Sequence, residues 1–197
     1  MVTTGLRERK KEQTRDAMFH AALRLFAARG FDHVTVEEIA AACDVSPRTF
    51  FRYFASKEDV LFAEGDSVCA RLVSLIGQQD TKLTAFEALE AGMLDAASDY
   101  AAQREMLELR RTVVEQTPSL RTRSAERQQG WEAEIVAHLR SSARAKRTSD
   151  LELRLVVAVC TTALRTAIET WVAGEGTDDL VKLTRAAFRR LRTGFGQ

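Results

Sequence analysis

The sequence predicts an all-α protein of about nine helices, and three observations lead there. Its 197 residues hold only two prolines and ten glycines. Long Ala/Leu/Glu/Arg stretches repeat apolar residues every three or four positions, while alternating β-branched runs are missing. Helix starts are also spelled out repeatedly, as Ser, Thr or Asp ahead of an apolar run, often with Glu three residues on. A hydrophobic content of 45% rules out a disordered chain and suffices for one good core or two small ones.

The first helix is predicted from about Glu8 to Arg29 with Ala22, Leu25 and Phe26 inward, and Gly30 with Phe31 forms its stop. Thr35 and Glu38 stand at capping-box spacing, so a second helix starts at Val36 and buries Val36, Ile39, Ala40 and Cys43. Asp44 must carry a tight turn, a place where Asp tolerates left-handed backbone. Ser46 is the next N-cap, and Pro47 takes the first helical position, where its missing amide costs nothing. The third helix, about Pro47 to Phe54, turns Thr49, Phe50, Tyr53 and Phe54 inward and leaves Pro47, Arg48, Phe51 and Arg52 outward.

Ser56 and Asp59 open a long fourth helix from Lys57 to about Gln78, with Leu61, Val68, Leu72, Leu75 and Ile76 along one side. Thr84 with Glu87 starts another, to about Ala101. Helices follow over about Arg104 to Glu115, from Thr117-Pro118 to about Arg144, and from Asp150 to Ala173. Gly174 and Gly176 break the chain, and Asp178 caps a last helix reaching about Thr193. Residues 1–56 then form a three-helix head with a basic arm, and residues 57–197 a larger helical domain, with the fourth helix as the lever between them.

Two helices joined by a three- or four-residue turn make a helix-turn-helix, whose second helix enters the major groove of DNA. Arg48, near that helix's start, has the fork that matches guanine O6 and N7, a contact worth about 1 to 3 kcal/mol of discrimination. Arg52 does the same or holds a phosphate. Lys57 is a phosphate ligand at a helix N-terminus or an ordinary solvated lysine. Net charge is only +1, but from Arg7 to Arg15 five cations stand against two carboxylates. That stretch is an arm for the DNA backbone or minor groove, or else a solvated tail.

The run from Leu23 to Leu61 resembles the N-terminal domain of the TetR family of bacterial transcription regulators. It matches at Leu25, Phe26, Gly30, Phe31, Thr35, Ile39, Ala40, Val45, Ser46, Thr49, Phe50, Tyr53, Phe54, Lys57 and Glu58. The resemblance implies base reading by Pro47, Arg48 and Phe51 with Arg52 beside them, and phosphate contacts by Thr35, Tyr53 and Lys57. Thr49 is counted with the same DNA-facing set. Phe51 stands where many members carry Tyr, which removes a hydroxyl contact and favours an apolar touch to a thymine methyl.

The segment from Leu151 to Trp171 is apolar around most of its circumference, through Leu153, Leu155, Val156, Val157, Val159, Cys160, Ala163, Leu164, Ala167 and Ile168. Such a helix must be covered on all sides, by a second subunit or by central burial in a monomer. The last helix, with Leu180, Val181, Leu183, Ala187, Phe188 and Leu191, offers a partner stripe. The family resemblance implies the subunit contact, a four-helix bundle made by the last two helices of each chain. A twofold homodimer places two reading helices on one face of double-stranded DNA, so a palindromic operator is expected.

The stretch from Leu107 to Leu139 is similar to the C-terminal domain of mycofactocin-type TetR regulators, which implies an acyl-CoA-like small-molecule effector. Met93, Tyr100, Met106, Leu109, Trp131 and Ile135 are candidates to line its cavity, or are plain core. Arg165 faces an acidic head group or pairs with Glu169 one turn on.

His20, His33 and His138 stand alone, without metal-ligand or triad spacing, and no glycine-rich phosphate loop exists. No catalytic residue, metal or cofactor is therefore expected. Cys43, Cys69 and Cys160 are widely spaced and read as small core residues. No segment approaches the roughly 18 uncharged apolar residues of a membrane span, and Met1 to Lys11 lacks a signal-peptide core, so a cytoplasmic location is expected. The function these features predict is a dimeric, ligand-responsive transcription regulator acting as a repressor. The alternative is a cytoplasmic helical small-molecule binding protein whose helix pair is structural only.

Overall fold

The structure, a computed structural model, describes residues 5–78, 83–141, 148–174 and 178–194. Among these residues there are nine α-helices and no strands. They are α1 (Leu6–Arg29), α2 (Val36–Ala41), α3 (Pro47–Phe51), α4 (Lys57–Gln78), α5 (Ala85–Ala101), α6 (Arg104–Gln116), α7 (Pro118–Ser141), α8 (Asp150–Ala173) and α9 (Leu180–Thr193), with a 3₁₀ turn at Phe31–His33. The end expected for α7 near Arg144 lies outside the described residues, while the basic stretch from Arg7 to Arg15 lies within them. From Leu6 onward that stretch is already α1, so Arg9, Lys10, Lys11 and Arg15 ride on a helix rather than on an extended strand.

The chain forms two compact units, and their boundary does not follow the division expected at 56/57. The first unit holds residues 1–64 and 105–124; the second holds 65–104 and 125–197. Helix α6 and the start of α7 thus pack with the head, a pairing distant in sequence that local periodicity does not encode.

The first unit closes around aromatic rings. Phe26, Phe31, Phe50, Phe54 and Phe62 are buried together with Met18, Leu23, Ile39 and Leu61, and Met106, Val113 and Leu120 complete the core. Phe26 meets Phe31 at 4.9 Å between ring centres, and Phe50 meets Phe54 at 5.4 Å, spacings at which tilted rings attract. Gly30 makes the first contact possible. Its φ of 84° lets the chain reverse, and its N–H closes on the Phe26 carbonyl at 2.8 Å. Two arginines clip α4 from outside: Arg15 donates to the Ala63 carbonyl at 2.9 Å and Arg110 to that of Leu61 at 2.7 Å.

The second unit is built from smaller side chains. On α5, Ala85, Ala88, Leu89, Met93, Ala96 and Ala97 are buried, and on α8 Leu153, Val157, Cys160, Ala163, Leu164, Ala167 and Trp171. Helices α5, α8 and α9 pack on one another, and Phe188 of α9 meets Phe86 of α5 edge-on at 5.7 Å. Gly92 marks a close approach: a Cβ there would come within 2.4 Å of a Leu72 methyl. Burial pushes the Cys69 and Cys160 thiols up to about 12, so both stay protonated as small core groups. Asp179, not Asp178, caps α9, accepting from the amides of Val181 and Lys182. The Asp178 carbonyl instead accepts the Trp171 indole N–H at 3.0 Å.

Among the described residues, α8 buries one side. Leu151, Leu155 and Val159 stay exposed, at 69%, 54% and 39%, along a face opposite its buried stripe. No described helix is long and apolar enough to cross a membrane.

Candidate nucleic-acid interface

Short helices are marginal alone, so the two at residues 36–51 depend on their ends and on the core beneath. Thr35 forms the full capping box: its Oγ1 accepts the Glu38 amide at 3.3 Å, and the Glu38 carboxylate accepts the Thr35 amide at 2.9 Å. Arg29 reaches across from α1 to brace that carboxylate at 2.7 Å. The Thr35 amide first, and Arg29 next, hold the Glu38 carboxyl below its ordinary value. Asp44 turns the chain with φ of 52°, the left-handed geometry its position demanded. Ser46 then caps α3, accepting the Thr49 amide at 3.2 Å, with Pro47 in the first turn.

This framework presents α3 with the sidedness expected from its spacing. Phe50 and Phe54 are fully or nearly buried, Thr49 and Tyr53 half-buried, and Pro47, Arg48, Phe51 and Arg52 exposed. The Phe51 ring, 54% exposed, stands edge-on to Phe50 at 5.6 Å. The outward face therefore carries an apolar pair, Pro47 and Phe51, next to a cationic pair, Arg48 and Arg52, each pair one helical turn apart. The Arg52 guanidinium lies 5.2 Å from the Tyr53 ring, drawn sideways by a cation–π contact.

Two residues expected at phosphates have internal work. The Lys57 ammonium donates to the carbonyls of Phe31 at 2.8 Å and Val34 at 3.0 Å, and sits 4.3 Å from the Phe31 ring. It ties the start of α4 to the loop before α2, which leaves one of its three N–H donors. The Thr35 amide and hydroxyl both engage Glu38. Arg29, the brace of this cap, was missed because its partner is nine residues away, beyond helical spacing.

The residues expected at an effector cavity are divided between the two units. Met106 is part of the aromatic core of the first unit and Leu109 packs against it, because α6 turns its apolar stripe toward the head. Met93, Tyr100, Trp131 and Arg165 belong to the second unit, with Met93 buried and Tyr100 and Trp131 half-buried. Arg165 is exposed and pairs with Glu169 at 2.9 Å, the plainer of its two readings. Sequence spacing did not reveal Asp66, whose carboxylate takes the Trp131 indole N–H at 2.8 Å and Arg127 Nε at 3.0 Å. Its partners lie more than 60 positions away. Among the described residues, no cluster of His, Cys, Asp and Glu could hold a metal ion.

An all-helical chain whose capped helix-turn-helix exposes two arginines and a phenylalanine on its second helix has the build of a DNA-reading transcription regulator. Comparison with known proteins makes that class specific. Residues 19–63 match the model of the bacterial regulatory proteins of the TetR family, and residues 83–196 match that of the MftR C-terminal domain. The chain is 32% identical over 184 residues to the transcriptional regulator TcmR of Streptomyces glaucescens, covering 88% of this chain and 80% of that one. It is 29% identical over 178 residues to MftR of Mycobacterium tuberculosis, whose name refers to mycofactocin biosynthesis, covering 90% and 87%. Among solved structures, FadR of Thermus thermophilus, a TetR-family repressor crystallised with lauroyl-CoA, aligns with a TM-score of 0.58 and 26% identity over 92% of this chain and 94% of that one. The chain belongs to the TetR family of transcriptional regulators, which are not enzymes.

Proposed function

We propose that this chain is a homodimeric cytoplasmic repressor that holds a palindromic operator and lets go when a small apolar effector of the acyl-CoA type binds. The observation that carries this reading is the exposed face of α3, where Arg48 and Phe51 stand clear on a head fixed by two caps and an aromatic core. Arg48 forks onto a guanine, and Pro47 and Phe51 give an apolar contact. Arg52, Thr49 and Tyr53 flank them at the backbone, while Thr35 and Lys57 chiefly hold the frame. The uncovered Leu151, Leu155 and Val159 on α8 support pairing with a second copy, since exposed apolar stripes mark contact surfaces. The lauroyl-CoA of the Thermus protein supports the effector class, and Met93, Tyr100 and Trp131 are the candidates of the second unit to meet it.

Binding of effector would lower the population of the DNA-competent state in proportion to its preference for the other state. Fluorescence anisotropy with the DNA upstream of the chain's own gene tests the whole reading. Tight binding that falls steeply with salt is expected, because each neutralised phosphate releases counterions. Arg48→Ala should weaken that binding by about 1 to 3 kcal/mol, and lauroyl-CoA should release the wild-type complex. Equal, weak binding to every duplex, indifferent to Arg48→Ala, would leave a small-molecule binding protein instead.

A further inference from the structure

We propose that Arg185 and Arg189 on the outer face of α9, with Arg190 beside them, bind the phosphate groups of a nucleotide-bearing effector, so that the second unit takes its ligand by an anionic head as well as by an apolar tail. The proposal rests on the acyl-CoA class of effector inferred above and adds where the charged half of such a molecule is held.

Helix α9 carries Lys182, Arg185, Arg189, Arg190 and Arg192 and no carboxylate. Its inner side is taken up by packing, since Leu180, Thr184 and Phe188 are buried, and all five cations are exposed. Two of them have answers: Lys182 lies 4.0 Å from Asp179, and Arg192 pairs with Glu90 of α5. Among the described residues nothing answers Arg185, Arg189 or Arg190, although every other lysine and arginine described in the second unit has a carboxylate or a carbonyl to hold. The fold gains little from this. Arg185 and Arg189 are one turn apart, a spacing at which like charges weaken a helix. The last turn, where cations suit the helix dipole, accounts for Arg190 and Arg192 but not for these two.

What matches this face is a group with several negative oxygens and no cation of its own. A guanidinium fork fits a phosphate bidentately, and two forks a turn apart suit phosphates linked within one small molecule. Coenzyme A thioesters carry a diphosphate and a ribose phosphate at the end far from the acyl chain. A second copy of the chain answers the face less well, because Asp150 and Glu169 of α8 already hold Arg154 and Arg165. Operator phosphates offer the same chemistry, but α9 belongs to the second unit and the reading helix α3 to the first.

Full-length wild type and the Arg185→Gln/Arg189→Gln double variant are titrated with lauroyl-CoA and with S-lauroyl-pantetheine, which keeps the chain and the thioester but has no phosphate. Calorimetry should show the wild type holding lauroyl-CoA roughly tenfold more tightly than lauroyl-pantetheine, as charge-assisted contacts allow. The double variant should lose most of that preference, while its affinity for lauroyl-pantetheine, its melting temperature and its operator affinity without effector stay as in the wild type. Added salt should shrink the wild-type preference. Lauroyl-CoA bound equally by both proteins, or both ligands bound equally by the wild type, overturns the site and leaves an apolar effector standing. A wild type that binds neither ligand overturns the effector class together with the site. A double variant that binds operator more weakly, with a shallower salt dependence, gives the arginines to DNA, and one that sediments as a monomer gives them to the subunit contact; either result overturns the inference.

Discussion

The two units solve the problem of burying helices in opposite ways. In the first, six phenylalanines fill the space between helices, and capping residues fasten the ends of the short ones. In the second, alanines and a glycine let long helices approach closely, and charged crosspieces hold them: Arg71 to Asp95 and Asp99, Arg127 to Asp66, and Arg192 to Glu90. Among the described residues, the large apolar side chain that the first unit leaves exposed is Phe51. The second leaves a whole stripe of α8 uncovered. A head that must present side chains in one geometry gains from a stiff core with little freedom to repack. On the proposed function, the second unit joins a second copy and answers an effector, tasks that leave surface in reserve.

Core truncation should show the contrast most strongly. Phe50→Ala removes a fully buried ring with two aromatic neighbours and should cost about 3 to 5 kcal/mol, abolishing DNA binding along with head stability. Leu89→Ala in the second unit should cost less, about 2 to 3 kcal/mol, because its alanine-rich surroundings can partly close the gap. Urea denaturation followed by circular dichroism measures both; a larger loss for Leu89→Ala would break the comparison.

Next comes the uncovered stripe. Leu151→Lys with Leu155→Lys should leave each chain folded, since both side chains are exposed on their own subunit, yet weaken self-association by about 3 kcal/mol or more. Sedimentation velocity would then show monomers at concentrations where the wild type is dimeric. A monomeric wild type would instead show that α8 carries no subunit contact.

Cap removal should act locally and more gently. Thr35→Ala and Thr84→Ala each remove the hydroxyl half of a capping box, at about 1 kcal/mol apiece. Hydrogen exchange should rise in α2 for the first variant and in α5 for the second, without spreading to the other unit.

Acid sensitivity is the smallest effect. The Glu38 and Glu87 carboxyls lie below the ordinary value of 4.5, each held there first by the backbone amide of its N-cap threonine. A carboxyl with a lowered folded-state value stabilises fully above its unfolded value and loses that contribution as pH falls through the folded one. Urea midpoints should therefore fall a little further below about pH 4.5 in the wild type than in Glu38→Gln and Glu87→Gln variants, which have no carboxyl there to titrate. Identical acid curves for all three would show that the caps make no titrating contribution.

Sequence patterns revealed the helix-turn-helix itself, because its caps, turn and faces are set within a few residues of one another. The Thr35–Glu38 and Ser46–Thr49 caps, the left-handed Asp44 and the two faces of α3 are all set by spacings of three or four. The same spacing explains Thr84 with Glu87 and the pairing of Arg165 with Glu169. Only the tertiary structure decided where distant helices meet. It turned the Lys57 ammonium onto the carbonyls of Phe31 and Val34, drew Met106 and Leu109 into the head, and set Asp66 against Arg127 and Trp131. Helical periodicity says which side of a helix is apolar, but many apolar sides are interchangeable as partners. Shape and charge across the whole packed chain select among them.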